Sequence, residues 1–317
     1  MNSAQRHERV KTIFNPREPL GLNNRDYRQQ VEQIFRMMLA ADLPRSDAAL
    51  EPDEWYRKRV GAYIIAKTET IVCGLEEAAF LLEPLGIKAT PCQTSGTAVA
   101  AGDRLIELDG PAESILKIER TLLNILQRLC GIATTTAGYV RLISDTNCQV
   151  AATRKTIWGL LDKRAVQTGG GLTHRLNLSE AAMLKENHLA IIHQRREADA
   201  LETALRTIIT EYPDLQFVEV EVTNSAEFLE ALTICKRLPS TIPRVIMFDH
   251  FTPDQIRSLL ADHCTDSYEP LICFEASGNL HPGNLREYAQ TGVDVVSVGA
   301  LTHSVKSADL SLLFGVL

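Results

Sequence analysis

Runs of apolar residues recur at a nearly constant interval in the second half of the chain. Reference residues Val218, Val245, Ile272 and Val295 are separated by 27, 27 and 23 residues. The runs, with helix-like sequence between them, are QVAAT (149–153), FVEVEV (217–222), RVIMFD (244–249), LICFEAS (271–277) and VDVVSVG (293–299). Apolar strands alternating with helices are typical of a parallel sheet covered by helices.

Polar residues follow the predicted strands, at the point where each strand ends. They are Arg154-Lys155, Lys185 after the run AAML, Glu221, Asp249, Ser277-Gly278 and Gly299. A charge one step beyond a buried strand is costly unless it is paired or functional, and six such positions in register favour function. A β/α barrel presents its catalytic residues at this edge. The pattern therefore predicts an enzyme with a TIM-like α/β barrel.

The first half of the chain has a different texture. Residues 1–23 are predicted to be an irregular lead-in, and Asn24 can cap a following amphipathic helix. Short β-type runs between residues 59 and 110 alternate with one helix and predict a small α+β domain. A long amphipathic helix is predicted from Pro111 to about Leu129.

Composition excludes several classes of protein. The chain has 317 residues and a net charge of −7, which argues against general nucleic-acid binding and against binding to anionic membranes. Its seven cysteines are scattered without a CxxC pair, so we expect reduced, mostly buried thiols rather than a zinc site. Without an apolar leader or a long apolar run, the expected location is the cytoplasm.

The strand-end residues sort into three chemical groups. A cationic wall suited to anions contains Arg154, Lys155, Arg175 and Lys185, with His174. A carboxylate pair, Glu221 and Asp249, offers the hard oxygens that Mg²⁺ prefers. A predicted phosphate site contains Ser277, Gly278, Asn279 and Gly299.

Several alternatives stay open at this stage. The Arg-Lys pair is also compatible with a solvated surface, and Ser-Gly-Asn with a simple turn. Glu219 shares a strand face with Glu221, so spacing does not say which of the two acts. The glycine triplet 169–171 lacks the patterns of nucleotide-binding loops. We expect it to allow close backbone approach and to direct His174 and Arg175 inward.

The same residues resemble a known family. The motifs are ERTLLNILQRLCGIAT (119–134), ATRKT (152–156), GGGLTHRLNLSEAAMLKENHL (169–189), VEVEV (218–222), FEASGN (274–279) and VDVVSVGALTHS (293–304). In this order they resemble the quinolinate phosphoribosyltransferases. The resemblance implies an N-terminal α/β sandwich domain joined to an incomplete α/β barrel. It also implies transfer of phosphoribosyl from phosphoribosyl pyrophosphate to quinolinate, with decarboxylation to nicotinate mononucleotide for NAD synthesis.

The resemblance also implies domain limits and an assembly. The sandwich domain is expected at 24–137, joined by the tail 305–317, and the barrel at 138–304. Homodimers with shared active sites are implied, with a hexamer left open. Arg120 would then reach the neighbouring subunit's site.

Roles for the other residues follow from the resemblance. Lys155, Glu221 and Asp249 would be catalytic, with the two carboxylates near Mg²⁺. Arg154, His174 and Arg175 would grip substrate carboxylates, and Lys155 and Lys185 would neutralise anionic charge. The 5′-phosphate would be held by Ser277, Gly278, Asn279, Gly299 and His303.

Two departures from the family pattern keep rival functions open. Ile157-Trp158 stands where the family has Thr-Pro, and His250 follows Asp249 where the family has asparagine. One rival is a related phosphoribosyltransferase acting on another aromatic carboxylate. The second rival is a barrel enzyme that uses Lys185 as a Schiff-base amine.

Overall fold

The computed structural model describes residues 2–43, 54–194, 199–238, 241–264 and 272–315. In chain order the helices are α1 (Ser3–Phe14), α2 (Arg25–Asp42), α3 (Leu75–Leu82), α4 (Ala112–Leu142), α5 (Leu160–Thr168), α6 (Glu186–His193), α7 (Ala200–Glu211), α8 (Ser225–Arg237), α9 (Pro253–His263), α10 (Leu285–Ala289) and α11 (Ala300–His303). The strands are β1 (Arg59–Ala66), β2 (Thr70–Ile71), β3 (Lys88–Pro91), β4 (Ala98–Val99), β5 (Arg104–Pro111), β6 (Gln149–Ala151), β7 (Ala181–Leu184), β8 (Phe217–Val222), β9 (Arg244–Asp249), β10 (Ile272–Ser277), β11 (Val295–Ser297) and β12 (Leu310–Gly315). Short 3-10 helices span Glu54–Arg57 and Glu83–Leu85.

The chain divides into two compact units. We call them the barrel unit (Met1–Arg17, Tyr139–Lys155 and Gly171–Ala300) and the sandwich unit (Glu18–Gly138, Thr156–Gly170 and Leu301–Leu317). Each unit is thus assembled from separated stretches of sequence. None of the helices in the part of the chain that the structure describes has the length and apolar character needed to cross a membrane.

The barrel unit is built on a parallel sheet with the strand order β6-β11-β10-β9-β8-β7. Leu172 adds a parallel bridge beside Ala151 of β6. Strand β8 is buried along its whole length, and β9 and β10 are buried up to their last residue, which explains their near-continuous apolar sequence. The predicted incomplete α/β barrel with a separate sheet domain is confirmed.

Register brings the predicted strand-end residues together. Asp249 pairs with Ser277 on β10, and Glu221 pairs with Met247 on the same β9 strand that carries Asp249. Because the strands are parallel and share this register, their polar ends lie along one edge of the sheet. That edge carries the candidate site.

Residues 2–15 differ from the predicted irregular lead-in. Asn2 caps α1 by accepting the Gln5 N–H at 2.8 Å, and the Gln5 side chain accepts the Asn2 N–H in return. Val10, Ile13 and Phe14 of this helix join the barrel core together with the first or second residues of several strands. The spacing of these three apolar residues is that of a helix. The rest of α1 is polar, so the helix is difficult to recognise from the sequence.

The sandwich unit contains an antiparallel sheet with the order β12-β1-β5-β3 and a separate pair, β2-β4. Helix α4 extends beyond the predicted end near Leu129 and continues through Gly131 and Gly138. A Cβ at Gly131 would lie 2.5 Å from the Lys306 carbonyl oxygen. Glycine at this position therefore permits close packing of the helix against the chain, instead of ending the helix.

The glycine triplet 169–171 differs from its prediction in where the close backbone approach occurs. A Cβ at Gly169 would lie 2.4 Å from the Ala133 carbonyl oxygen of α4, and Gly170 adopts a positive φ of 87°. The close approach is thus to a helix of the sandwich unit and not to the candidate site. The triplet ends α5 and turns the chain toward β7.

Candidate active site

A cavity of about 420 Å³ lies at the carboxyl edge of the barrel strands. It is lined by Thr153, Arg154, Lys155, His174, Arg175, Met183, Lys185, Glu221, Met247, Asp249, His250, Glu275 and Ser277. Both the predicted cationic wall and the predicted carboxylate pair are among these residues. A cavity of about 570 Å³ beside α1 is larger, but it lacks this combination of charges.

The cationic wall combines exposed and buried groups. Arg154 and Lys155 are exposed, whereas Arg175 is only 6% exposed. The Arg175 guanidinium donates from Nη1 to the Ala181 carbonyl at 2.9 Å and from Nη2 to the Met183 sulfur at 3.5 Å. Burial lowers the pKa of Arg175, and repulsion from Arg154 lowers it further. An anion bound between the two guanidinium groups would relieve that repulsion.

The carboxylate pair faces the cavity from adjacent strands. Glu221 accepts a hydrogen bond from Lys185 Nζ at 2.8 Å. Asp249 lies one strand away at the same edge, with a side chain 26% exposed. Their oxygen donors are of the hard type that Mg²⁺ prefers, so the pair fits this cation.

A buried cluster forms the cavity floor. His174 Nε2 lies 3.2 Å from Glu275 Oε2 and 3.5 Å from Glu219 Oε2, and each of these side chains is at most 5% exposed. Both Glu219 oxygens lack a hydrogen-bond partner among the described residues. Of the two carboxylates on β8, Glu221 lines the cavity and Glu219 is not among its lining residues.

Protonation of this cluster follows from its surroundings. Burial alone would lower the pKa of His174, but Glu275 and Glu219 raise it to about 9. Burial, followed by Glu275, raises the pKa of Glu219 to about 7. His174 Nδ1 already accepts the Arg175 N–H at 2.8 Å, so it has no room for a proton. This hydrogen bond opposes the second ring proton that the neighbouring carboxylates favour. The ring therefore stays neutral, and the extra proton of the cluster lies on Glu219, whose pKa is raised.

The predicted phosphate site is only partly at the cavity. Ser277 lines it, whereas Gly278, Asn279 and Gly299 are not among the lining residues. Gly278 and Asn279 have positive φ values of 101° and 50°, and a Cβ at Gly278 would lie 2.7 Å from His250 Nδ1. This glycine is therefore required for the His250 ring to lie against the turn.

Two family models together match most of the chain. The model described as the N-terminal domain of quinolinate phosphoribosyl transferase matches residues 54–130, and the C-terminal domain model matches residues 132–313. This chain belongs to the quinolinate phosphoribosyltransferase family.

The matches with similar proteins span most of this chain and most of each relative. A probable nicotinate-nucleotide pyrophosphorylase [carboxylating] of Methanothermobacter thermautotrophicus is 34% identical over 88% of this chain and 97% of its own. A Bacillus subtilis protein with the same description is 36% identical over 79% of this chain and 82% of its own. The structure of the nicotinate-nucleotide pyrophosphorylase from Francisella tularensis matches with a TM-score of 0.77 at 32% identity, covering 90% and 96% of the two chains.

The two departures from the quinolinate phosphoribosyltransferase pattern lie in different surroundings. His250 lines the cavity, whereas Trp158 is not among its lining residues. Within the sandwich unit, Asp162 accepts the N–H groups of Ile157 and Trp158 at 2.9 and 3.2 Å. Asp162 also accepts two hydrogen bonds from Arg128, whose guanidinium lies 5.3 Å from the Trp158 ring centroid. Trp158 therefore has a packing role within that unit.

Two of the predicted substrate-binding residues belong to the sandwich unit. Arg120 is exposed on α4, and His303 is the last residue of α11, with Nδ1 2.6 Å from Ser304 Oγ.

Glu275 was not among the predicted site residues, and the role of Glu219 was left open. Both are carboxylates within otherwise apolar strands, FVEVEV and ICFEAS, and both are fully buried. A carboxylate inside a buried strand needs a partner, and this signal was available in the sequence. The sequence did not show that His174 is this partner.

Proposed function

We propose that this chain transfers phosphoribosyl from phosphoribosyl pyrophosphate to quinolinate with decarboxylation, giving nicotinate mononucleotide, pyrophosphate and CO₂. The observation that carries the proposal is the cavity in the barrel unit, where a cationic wall faces two carboxylates on adjacent strands. Relatives described as carboxylating nicotinate-nucleotide pyrophosphorylases support the same reaction.

Binding of the acid depends on the cationic wall. Quinolinate has two carboxylates, and guanidinium groups bind carboxylates through two parallel hydrogen bonds. Arg154 and Arg175 both line the cavity and would bind the dianion there. Both ring nitrogens of His174 are already engaged, so His174 acts by supporting Arg175.

The transfer step needs little covalent help from the protein. The quinolinate nitrogen forms a bond to ribose C1′ while the bond from C1′ to pyrophosphate breaks, and positive charge develops on the sugar. Glu221 and Asp249 would stabilise that charge, and Lys155 and Lys185 would stabilise the departing pyrophosphate. Glu221 and Asp249 would also hold Mg²⁺, which supplies charge neutralisation for the diphosphate when it is bound.

Decarboxylation follows from the product of the transfer. The C–C bond to the carboxylate beside the ring nitrogen breaks, and its electron pair is stabilised by the adjacent cationic nitrogen. A proton then replaces CO₂ on the ring carbon. This electron sink belongs to the substrate, so an organic cofactor is not needed.

The cysteines support a cytoplasmic location as part of this proposal. All seven are free thiols, and five of them are buried. Secreted proteins usually join such residues in disulfides.

The test is release of CO₂ from carboxyl-labelled quinolinate by the purified protein with phosphoribosyl pyrophosphate and Mg²⁺. We expect release that depends on all three components and that is lost in Lys155→Ala. Nucleotide formation from nicotinate, with no CO₂ released from quinolinate, would instead identify a related transferase. Borohydride should trap no carbonyl substrate on Lys185, whose Nζ is paired with Glu221 at 2.8 Å.

A further inference from the structure

The imidazole of His174 connects the buried cluster to the backbone of the cationic wall. Its Nδ1 accepts the Arg175 N–H at 2.8 Å, and its Nε2 lies 3.2 Å from Glu275 Oε2. Since Nδ1 accepts a hydrogen bond, Nε2 carries the ring proton and donates it toward the carboxylate. A flipped ring would lose both contacts.

The backbone at His174 needs such support. Its φ is 56°, in the left-handed region that residues other than glycine rarely adopt. The ring meets Phe14 and Phe217 edge to face, at centroid distances of 5.2 and 5.3 Å. Conformations of this kind persist where neighbouring groups determine them, and they are common at functional sites.

The position of Arg175 depends on the same ring. Its amide is held by His174 Nδ1, and its guanidinium is held by the Ala181 carbonyl and the Met183 sulfur. The amide tether determines where the side chain leaves the backbone. A shift at His174 would therefore move the guanidinium relative to the rest of the cavity.

We propose that Glu275 is a positioning residue, which orients the His174 ring so that Arg175 meets the substrate carboxylate correctly. The proposal rests on the proposed function for the identity of that substrate. Glu275 acts through His174, and Glu219 lies behind it at 3.5 Å from the same Nε2.

A metal ion is the competing use of this cluster. Donor atoms of His174, Glu219 and Glu275 lie within 4.8 Å of one another. A cation bound to Nε2 would require the ring proton to sit on Nδ1, where it would oppose the Arg175 N–H. The observed hydrogen bond therefore favours positioning over metal binding.

The first experiment compares Glu275→Ala, Glu275→Gln and Asp294→Asn in full-length protein. Glutamine can still accept from Nε2–H through its amide oxygen, whereas alanine removes the acceptor. Asp294 is a matched control, because it is a buried carboxylate of the same unit, bonded to Arg6, that does not line the cavity. Steady-state kinetics with quinolinate and with phosphoribosyl pyrophosphate are measured for each variant, together with thermal unfolding.

We expect Glu275→Ala to raise the KM for quinolinate about tenfold or more, as loss of one well-placed hydrogen bond would do. Glu275→Gln should stay within about threefold of the parent protein, and Asp294→Asn should lower stability without changing this KM. An equal rise in both substrate KM values in Glu275→Ala would overturn the proposal, as would a rise of the same size in Asp294→Asn.

A second measurement needs neither substrate nor variant. Nitrogen NMR of the His174 ring in the parent protein should show a proton on Nε2 and none on Nδ1 near neutral pH. A ring protonated on Nδ1, or a stoichiometric transition metal in protein purified without chelators, would sink the proposal. If quinolinate releases no CO₂, the proposed function fails, while the ring measurement still decides the positioning role.

Discussion

The guanidinium of Arg175 is held from two directions inside the barrel unit, by the Ala181 carbonyl and by the Met183 sulfur. The planar fork of arginine allows these contacts to coexist with a bidentate bond to a carboxylate. A lysine ammonium is a single point charge and cannot reproduce this geometry. Charge alone is therefore insufficient at this position.

Arg175→Lys should raise the KM for quinolinate by about 10²-fold, because it removes the bidentate geometry while keeping the charge. Steady-state kinetics are the measurement, with Arg206→Lys, an exposed arginine on α7, as the control. An unchanged KM in Arg175→Lys would show that Arg175 does not bind the acid.

The buried carboxyl group of Glu219 makes stability depend on pH. Burial and Glu275 raise its pKa from 4.5 to about 7 in the folded protein, so the folded state binds more protons than the unfolded state in this range. The free energy of unfolding should therefore fall as pH rises from about 4.5 through about 7, by about 3 kcal/mol at most. Arg175 also faces this carboxyl group and lowers its pKa, but burial and Glu275 outweigh that effect.

Glu219→Gln imitates the protonated carboxyl group and should remove most of this slope. Urea unfolding at several pH values measures the free energy of unfolding of the parent protein and of the variant. The contributions of the other titrating groups cancel in the difference between the two. Parallel pH profiles for the two proteins would refute the assignment.

At the scale of single residues, spacing identified the cationic wall and the carboxylate pair. It could not separate Glu219 from Glu221, since both lie on one face of β8. The two carboxylates differ only in depth, which depends on packing by α1 and by the neighbouring strands.

Helix α1 closes the interior of the barrel unit at the amino ends of its strands. Phe14 is fully buried and lies 5.2 Å from both His174 and Phe217, measured between ring centroids. Arg6 of the same helix pairs with Asp294 at 2.5 Å. The helix is thus a component of the barrel core.

Phe14→Ala should lower the free energy of unfolding by about 3–5 kcal/mol, because it leaves a cavity in this core. Ile191→Ala, which truncates a side chain that is 62% exposed on α6, should change it by less than about 0.5 kcal/mol. Urea denaturation of both variants is the measurement. Similar losses of unfolding free energy in the two variants would show that α1 contributes no more to stability than a surface element does.

Two glycines of α4 provide an internal comparison. A Cβ at Gly131 would meet the Lys306 carbonyl oxygen at 2.5 Å, whereas a Cβ at Gly138 would find no atom within 4 Å. Gly131→Ala should therefore destabilise the protein, and Gly138→Ala should stabilise it by up to about 1 kcal/mol through helix propensity. Thermal unfolding measures both, and a stabilised Gly131→Ala variant would contradict the packing role.

The apolar periodicity predicted helix α4, but it ended the helix near Leu129, whereas the helix continues to Leu142. Glycine inside a helical sequence is a weak stop signal, and here Gly131 is present because another segment approaches it. The approaching residues lie far away in sequence, so a local pattern carries no record of them.

At the scale of the whole molecule, we propose that two copies of this chain share their active sites. Arg120 is exposed on the sandwich unit, while Lys155 lines the cavity of the barrel unit. In the proposed dimer, Arg120 of one copy would bind substrate at the cavity of the other.

Mixing Arg120→Ala chains with Lys155→Ala chains should then restore part of the activity, because a heterodimer contains one site with both residues intact. CO₂ release from quinolinate is the readout, after refolding the two chains together. Each variant refolded alone is the control. Inactive mixtures in which heterodimers are shown to form would exclude the shared site.

The sequence by itself determined the element types of the barrel, the edge that carries the chemistry and the family. It could do so because strand burial, helix periodicity and the polarity of strand ends are local properties, and the family motifs are contiguous. Only the tertiary structure decided that Val10, Ile13 and Phe14 of α1 join the barrel core, that Glu221 rather than Glu219 lines the cavity, and that Glu275 lies beside His174. These outcomes depend on contacts between residues distant in sequence, whose energies arise only when the chain is packed.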